Sequence, residues 1–510
     1  MSPTASWSLH DKHPCLHAGG PTPSNASGSY YDDYRPPSLT MTPAPIAPTA
    51  SAARARALAR LVRSRGRRLF LQYGLPWGAA LLVGLVAVLY AQWSTDAYNI
   101  FIGWIAGRAW LAFLITPAFT MLAVFLTRRY FQGSEGSGIP QVIAALHAPR
   151  DVTLMGRLFG LRIIVGKLCV SLLGFFGGMT IGREGPTVHL GAAIMAETRR
   201  FYPHAGPKLE RQLLLAGAAA GLSGAFNTPL AGIIFAIEEL ARDFENRTNG
   251  TMITAVVFSG LTSLALAGNY LYFGQMSVPQ NFGIGFVLPV LATALLCGLL
   301  GAAFNWALLH WEVWMPRPLQ LWRANKPMAY ALVIGLTIAA LGVATGGETW
   351  GSGYDQARHL LEGTAPLSQG YAITKWAAMI ISYMAGIPGG LFSPSLSIGA
   401  GLAQWVHAAF AWAPMPALIA LCMTGYLAAV TQSPLTSFVI VMEMTNGGGL
   451  VIPMMATALL ATRVSALFTP PLYEALAQKN YYPKPAAAAP GPDASGAPAP
   501  SAGAANQPDP

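Results

Sequence analysis

The chain has 510 residues, of which 53% are hydrophobic and only 10% charged, with a formal net charge of +10. Ordinary soluble domains carry about 25% charged residues, and a soluble surface needs about 25–35%. A large soluble enzyme is therefore excluded and one polytopic membrane domain is expected; the 54 Gly and 39 Pro are too many for a bundle of plain spanning helices.

Residues 1–50 are rich in Pro, Ser, Thr and Ala and lack the apolar core of a signal peptide, so a disordered extension is expected. Residues 51–70 hold Arg54, Arg56, Arg60, Arg63, Arg65, Arg67 and Arg68 and read as a basic amphipathic helix on the cytoplasmic membrane surface. Much of the positive charge sits in that run, so the expected partner is the lipid bilayer and not nucleic acid. Arg128 and Arg129 follow the second long apolar stretch, while the loop between the first two has only Asp96 and Arg108 as charged residues. That bias places the N-terminus in the cytoplasm of a multi-pass protein of the cell (inner) membrane.

The membrane domain is expected over 71–480. Segments 76–92, 109–127, 252–273, 283–309 and 328–345 are near or above the spanning length of about 20 residues. Others, around 136–146, 182–196, 386–404 and 416–444, are short and interrupted by Gly and Pro. Such segments predict broken helices that line a cavity or lie buried in protein. Residues 481–510 form a Pro/Ala-rich tail, expected to be disordered, cytoplasmic and too short for a folded domain. Cys15, Cys169, Cys297 and Cys422 have no metal-ligand or CxxC spacing and read as small buried hydrophobes. Asn246-Arg247-Thr248 and Asn249-Gly250-Thr251 fit the short glycosylation pattern.

The short segments recur. Gly182-Arg183-Glu184-Gly185-Pro186 matches Gly390-Leu391-Phe392-Ser393-Pro394 at an offset of 208, which also pairs Lys167 with Lys375 and Gly178 with Gly386. Pro229-Leu230 and Glu238 match Pro434-Leu435 and Glu443 at 205, and Gly136-Ser137-Gly138 and Gln141 match Gly351-Ser352-Gly353 and Gln356 at 215. Corresponding short segments in two halves point to a transporter site; whether the halves are inverted or parallel is open in the sequence. The halves also differ: Glu184 faces Phe392, Arg183 faces Leu391 and Glu239 faces Met444. A charged side chain at membrane depth costs about 2.5–3.5 kcal/mol on insertion scales. Scaffold needs alone do not explain a carboxylate that one half keeps and the other replaces with an apolar residue.

Gly136-Ser137-Gly138-Ile139-Pro140 opens an apolar stretch. Gly permits the sharp turn and Pro favours the first helical turn, so a helix N-terminus is expected there, with free N–H groups, the positive dipole end and the Ser137 hydroxyl facing an anion. The 182–186 and 390–394 segments share that build, with the helix expected after the proline. Glu184, at one such start, can take an anion's place, or it can pair with Arg183. Glu238 has its repeat counterpart Glu443, which favours a structural role. Glu239 has none and reads as functional or as an interfacial carboxylate near Arg242. Tyr473 alone reads as an interface tyrosine. No metal site, cofactor loop, nucleophile or catalytic dyad is evident, so no enzyme activity and no cofactor are expected.

The set of 136–140, 182–186, 390–394 and Tyr473, with the stretch from Gly217 to Glu239, resembles the CLC chloride channel/transporter family, prokaryotic type and proton-coupled exchanger branch. The resemblance covers about Phe70 to Ala477. It implies an all-α membrane fold of two inverted repeats with broken, re-entrant helices, assembled as a homodimer with an anion pathway in each subunit. It implies that Glu184 is the external gating glutamate and that Ser137, with Gly138 and Ile139, and Tyr473 hold a central chloride. It gives the N–H groups of Leu391 and Phe392 to the same site, and the segment Arg183, Glu184 and Gly185 to the outer part. Glu239 matches the internal proton glutamate of the exchangers, where channel members commonly have an apolar residue. Chloride/proton antiport is the function expected; a passive chloride channel and a fluoride/proton antiporter of the same fold are the alternatives. The N-terminal extension departs from the family pattern.

Overall fold

In the computed structural model the described residues are 58–482, apart from 61, 63, 67–68, 149–151, 203–205, 242–249, 269–270, 275 and 277–282. The expected extension 1–50, Arg54, Arg56, Arg63, Arg67 and Arg68, the acceptors Asn246 and Asn249, Cys15 and the tail from 483 lie outside them. The chain divides into two units, Met1–Val62 and Arg63–Pro510; of the first, residues 58–60 and 62 are described, and they are helical.

The regular elements described in the second unit are helices, joined by turns and two isolated bridges, Gly136 with Pro388 and Gly182 with Gly390. Its helices are α1 (Leu75–Ile105), α2 (Ala112–Arg129), α3 (Ile139–His147), α4 (Val152–Phe159), α5 (Leu161–Phe176), α6 (Glu184–Glu197), α7 (Pro207–Phe226), α8 (Pro229–Phe235) and α9 (Gly250–Ala267). After them come α10 (Val287–Trp314), α11 (Arg317–Asn325), α12 (Pro327–Ala344), α13 (Tyr354–Glu362), α14 (Tyr371–Met384) and α15 (Phe392–Ala409). The last are α16 (Met415–Thr431), α17 (Pro434–Thr445), α18 (Val451–Ala466) and α19 (Leu472–Tyr481). A π-helical turn, Ala236–Leu240, continues α8.

Among the described residues seven helical segments are long and apolar enough to cross a membrane. Five coincide with the stretches expected from hydropathy. The two others, Thr153–Phe176 and Gly448–Ala466, are masked in the sequence by Arg157, Arg162 and Lys167 and by a Gly-rich start. Lys167 is fully buried, and its Nζ donates to the carbonyls of Ser134 (2.9 Å) and Gly136 (2.9 Å). A charge satisfied inside the protein does not prevent a helix from crossing the apolar region. The stretch 416–444 is two helices, α16 and α17, broken at Gln432 and Ser433. Cys297 and Cys422 are buried, whereas Cys169, expected inside, is on an exposed face of α5.

The repeat is built into hydrogen bonds. Lys375 Nζ donates to the carbonyls of Thr349, Trp350 and Gly351 at 2.9–3.1 Å, as Lys167 does to the equivalent turn. Asn227 and Gln432, equivalent at offset 205, both end their helices with a left-handed backbone (φ 56° and 55°). The Glu238 carboxylate accepts the N–H groups of Leu435 (3.0 Å) and Thr436 (2.6 Å) at the start of α17. Glu443, near the end of α17, accepts those of Leu230 (3.2 Å) and Ala231 (2.7 Å) at the start of α8. The C-terminal end of each helix thus meets the N-terminal end of its counterpart, so equivalent helices run antiparallel and the repeat is inverted. Gly182 and Gly390, equivalent residues, exchange both backbone hydrogen bonds (2.8 and 2.6 Å) and mark where the two halves meet.

Candidate functional site

The site lies where three helix starts converge beside that glycine pair. Gly138, with φ 101°, precedes α3; a Cβ there would lie 2.5 Å from His189 Cβ and 3.1 Å from the Gly185 carbonyl. A Cβ on Gly185 would overlap the Ser137 hydroxyl, and a Cβ on Gly390 would lie 2.9 Å from the Gly185 nitrogen. Only glycine lets the three backbones approach this closely. The helices α6 and α15 begin at Glu184 and Phe392, two residues before their prolines rather than after them. Pro186 and Pro394 therefore stand in the first turn, where the missing N–H costs no intrahelical bond. Leu391, at the N-cap of α15, offers no side-chain oxygen to its N–H groups.

Two hydroxyls point into this junction. Ser137 and Tyr473 are buried neighbours, and neither hydroxyl oxygen makes a properly directed hydrogen bond among the described residues. Tyr473 stacks on Phe392 with ring centroids 6.1 Å apart and planes at 11°, and Phe392 also packs against Phe226 and Phe235. That aromatic packing fixes the Tyr473 ring, so its hydroxyl is held in place before any ligand arrives. Unsatisfied buried hydroxyls beside helix N-termini are the donor set that a small anion needs: hydrogen bonds and partial charges without a full opposite charge.

Glu184 is fully buried, and its carboxylate reaches across to the other half of the repeat. Ser393 Oγ donates to Oε1 (2.5 Å), the Ser393 N–H points to Oε2 (3.4 Å) and Tyr272 OH to Oε1 (3.4 Å). Glu184 therefore rests on the first turn of α15 and not only on its own helix end. Arg183, 4.0 Å from Glu184 Oε1, donates from its guanidinium to the Ala91 carbonyl (2.7 Å) and to Thr95 (3.1 Å) on α1. Its side chain also lines a cavity with Tyr272, Ser352 and Asp355. Glu239 is buried in the π-helical turn, accepts a hydrogen bond from Ser433 Oγ, and interacts electrostatically with Tyr473. Ile139 is fully buried at the first position of α3.

Two cavities flank the junction. One, of about 280 Å³, is lined by Ser137, Gln141, Arg157, Lys479 and Asn480, among others. The other, of about 40 Å³, is lined by Arg183, Tyr272, Ser352, Asp355 and Gln356, among others.

The structure thus brings together Ser137, Gly138, Gly185, Glu184, Leu391, Phe392 and Tyr473. It places Glu239 against Ser433 at the start of α17 and gives Glu238 a capping task. Sequence reasoning did not single out Ser393, Tyr272 and Ser433. Ser393 carried a readable signal, a hydroxyl facing Gly185 across the repeat; Ser433 faces Thr228 and Tyr272 has no counterpart there.

A family model described as voltage gated chloride channel matches residues 119–466. An H(+)/Cl(-) exchange transporter ClcA of Klebsiella pneumoniae is 31% identical over 424 residues, covering 78% of this chain and 86% of that protein. The protein of the same name from Salmonella arizonae is 30% identical over 423 residues, covering 78% and 85%. Among solved structures, a slow cyanobacterial Cl-/H+ antiporter superposes with a TM-score of 0.67 at 23% identity, over 79% of this chain and 97% of that one. A CLC-type fluoride/proton antiporter does so with 0.66 at 20% identity, over 79% and 96%. The fold is therefore that of CLC transporters, and the chain belongs to the voltage-gated chloride channel family.

Proposed function

We propose that this multi-pass membrane protein exchanges chloride for protons across the cell inner membrane, working as a homodimer with both termini in the cytoplasm. The observation that carries the reading is the placement of Glu184 on the first turn of α15, near the Ser137 and Tyr473 hydroxyls, which make no properly directed hydrogen bond among the described residues. A carboxylate there occupies a position that suits an anion, so chloride and the Glu184 carboxylate compete for it. In this reading Ser137 and Tyr473 donate to the central chloride, with the backbone at Gly138, Ile139, Leu391 and Phe392 completing its surroundings. Glu184, once protonated, leaves and carries the proton outward. Glu239, buried against Ser433, supplies the proton from the cytoplasmic side. The curated relatives named as H(+)/Cl(-) exchangers support the exchange reading, and the chemistry is binding and proton transfer without a covalent step.

The test is chloride-driven proton uptake by purified protein in liposomes. An outward chloride gradient is expected to drive protons inward against no pH gradient. A reversal potential that follows chloride alone and ignores a pH gradient would replace the exchanger with a channel. Fluoride flux far above chloride flux would replace the substrate.

A further inference from the structure

Glu184 is held by more than a helix end, and the additional contacts come from groups that the exchange cycle described above does not use. Ser393 is buried, and its hydroxyl makes the shortest contact to the carboxylate (2.5 Å). At the equivalent place in the other half stands Gly185, so the hydroxyl is not required by the repeated scaffold. Tyr272 is likewise buried, and its hydroxyl lies 3.4 Å from Glu184 Oε1 and 3.3 Å from Ser393 Oγ. It comes from the described part of the connection between α9 and α10, which is pinned to the end of α17. Phe273 N–H donates to the Met444 carbonyl (3.1 Å) and Met276 N–H to the Thr445 carbonyl (3.2 Å). The Tyr272 ring is packed edge-on against Phe226, Phe273 and Tyr354, with centroids 4.7–5.3 Å apart, and the Arg183 guanidinium lies 5.5 Å above it. A phenol fixed on several sides cannot follow the carboxylate when it moves, so its hydrogen bond to Glu184 exists only while Glu184 is docked.

We propose that Ser393 and Tyr272 form a latch that holds the Glu184 carboxylate docked on α15, and so set how strongly the gate competes with chloride. Both are positioning residues: they act on the anion through Glu184. The inference rests on the reading that Glu184 and chloride compete for one place. Weakening a competitor raises the fraction of protein open to the ligand, so the apparent affinity for chloride rises by the same factor.

The experiment is calorimetric titration of chloride into the full-length protein in detergent, with elution as a single symmetric peak required of each variant. Ser393→Ala is expected to lower the apparent chloride Kd about three- to tenfold, because a hydrogen bond to a charged acceptor is lost. Tyr272→Phe, whose contacts are longer, is expected to lower it by about two- to threefold. Ser393→Thr, which keeps the hydroxyl, is expected to return the value toward that of the parent. In a Glu184→Ala background the Ser393→Ala effect is expected to shrink to less than about twofold, because the carboxylate on which the latch acts is gone. A Kd that rises on Ser393→Ala in either background would make Ser393 an anion ligand and overturn the latch. If Glu184→Ala tightens chloride binding while Ser393→Ala and Tyr272→Phe leave it unchanged, the latch alone falls. If Glu184→Ala itself leaves the Kd unchanged, it is the competition reading that falls.

Discussion

Glu184 and Glu239 are both buried, but their surroundings set them different tasks. Glu184 lies in a ring of donors, Ser393 and Tyr272, at a place that also suits an anion. Glu239 takes its hydrogen bond from Ser433, with its carboxylate outside that ring. In the proposed cycle, removing the first carboxylate frees an anion position and removes a proton carrier at once. Glu184→Ala is therefore expected to leave chloride flux in liposomes within about threefold of the parent while coupled proton movement falls below detection; each tenfold is about 1.4 kcal/mol. Proton pumping that survived this change would sink the mechanism. Glu239→Ala removes a group with no place in the proposed anion site. It is expected to spare chloride affinity measured by calorimetry and to stop chloride-driven proton uptake. Undiminished coupling would return Glu239 to the rank of an interfacial carboxylate.

Helices α8 and α17 brace each other through Glu238 and Glu443, each carboxylate spanning two N–H groups at the other helix's start. Those N–H groups have no intrahelical partner, and a carboxylate there gains from the helix dipole as well. α17 also links the surroundings of Glu239 and Glu184: Ser433, at its N-cap, bonds Glu239, and its last carbonyls hold the segment that carries Tyr272. Because the two braces are equivalent, Glu238→Ala and Glu443→Ala are expected to cost similar amounts, about 1–3 kcal/mol. In a thermal unfolding scan of the detergent-solubilised protein both midpoints should drop by a few degrees, and a variant that melted with the parent would remove that brace from the account. The sequence made this pair legible because an unusual residue type recurred at a constant offset. The Gly–Pro pentamers were legible for a related reason: close backbone approach admits few residues. What stayed hidden was set by packing across the repeat. Ser393 sits inside a recognised pentamer, yet its partner is 209 residues away. Tyr272 lies in an irregular connection with no period to read, and its role follows from where Phe226, Phe273 and Tyr354 place its ring. The Thr153–Phe176 crossing was obscured by Lys167, whose charge is satisfied by carbonyls that no hydropathy window can see.

For the molecule as a whole, the inverted repeat dictates where the two cavities open. The larger is lined by Ser137, Pro140, Gln141 and Tyr383, and the smaller by Ser352, Asp355, Gln356 and Phe175. The first three pairs are equivalent at offset 215, and Tyr383 and Phe175 at 208, so the cavities are counterparts of each other under the internal symmetry. Counterparts in an inverted repeat face opposite sides of the membrane. The Ser137 cavity also takes in Asn480 near the end of α19, and the proposed cytoplasmic C-terminus would put it on the inner side and the Arg183 cavity on the outer. A charged thiol reagent that cannot cross the membrane reads this directly. In a background with the four native cysteines replaced by serine, Asn480→Cys and Asp355→Cys place single thiols at two exposed positions, one lining each cavity. Asp355→Cys is expected to react in sealed right-side-out vesicles and to be protected in inverted ones, and Asn480→Cys the reverse. Labelling of both from one side would mean that the two cavities share a face of the membrane, and the repeat could not then be inverted about the membrane plane. Labelling from opposite sides but in the reverse sense would keep the inversion and turn the whole molecule over, with Glu239 facing outward and the Arg-rich N-terminal run outside the cytoplasm.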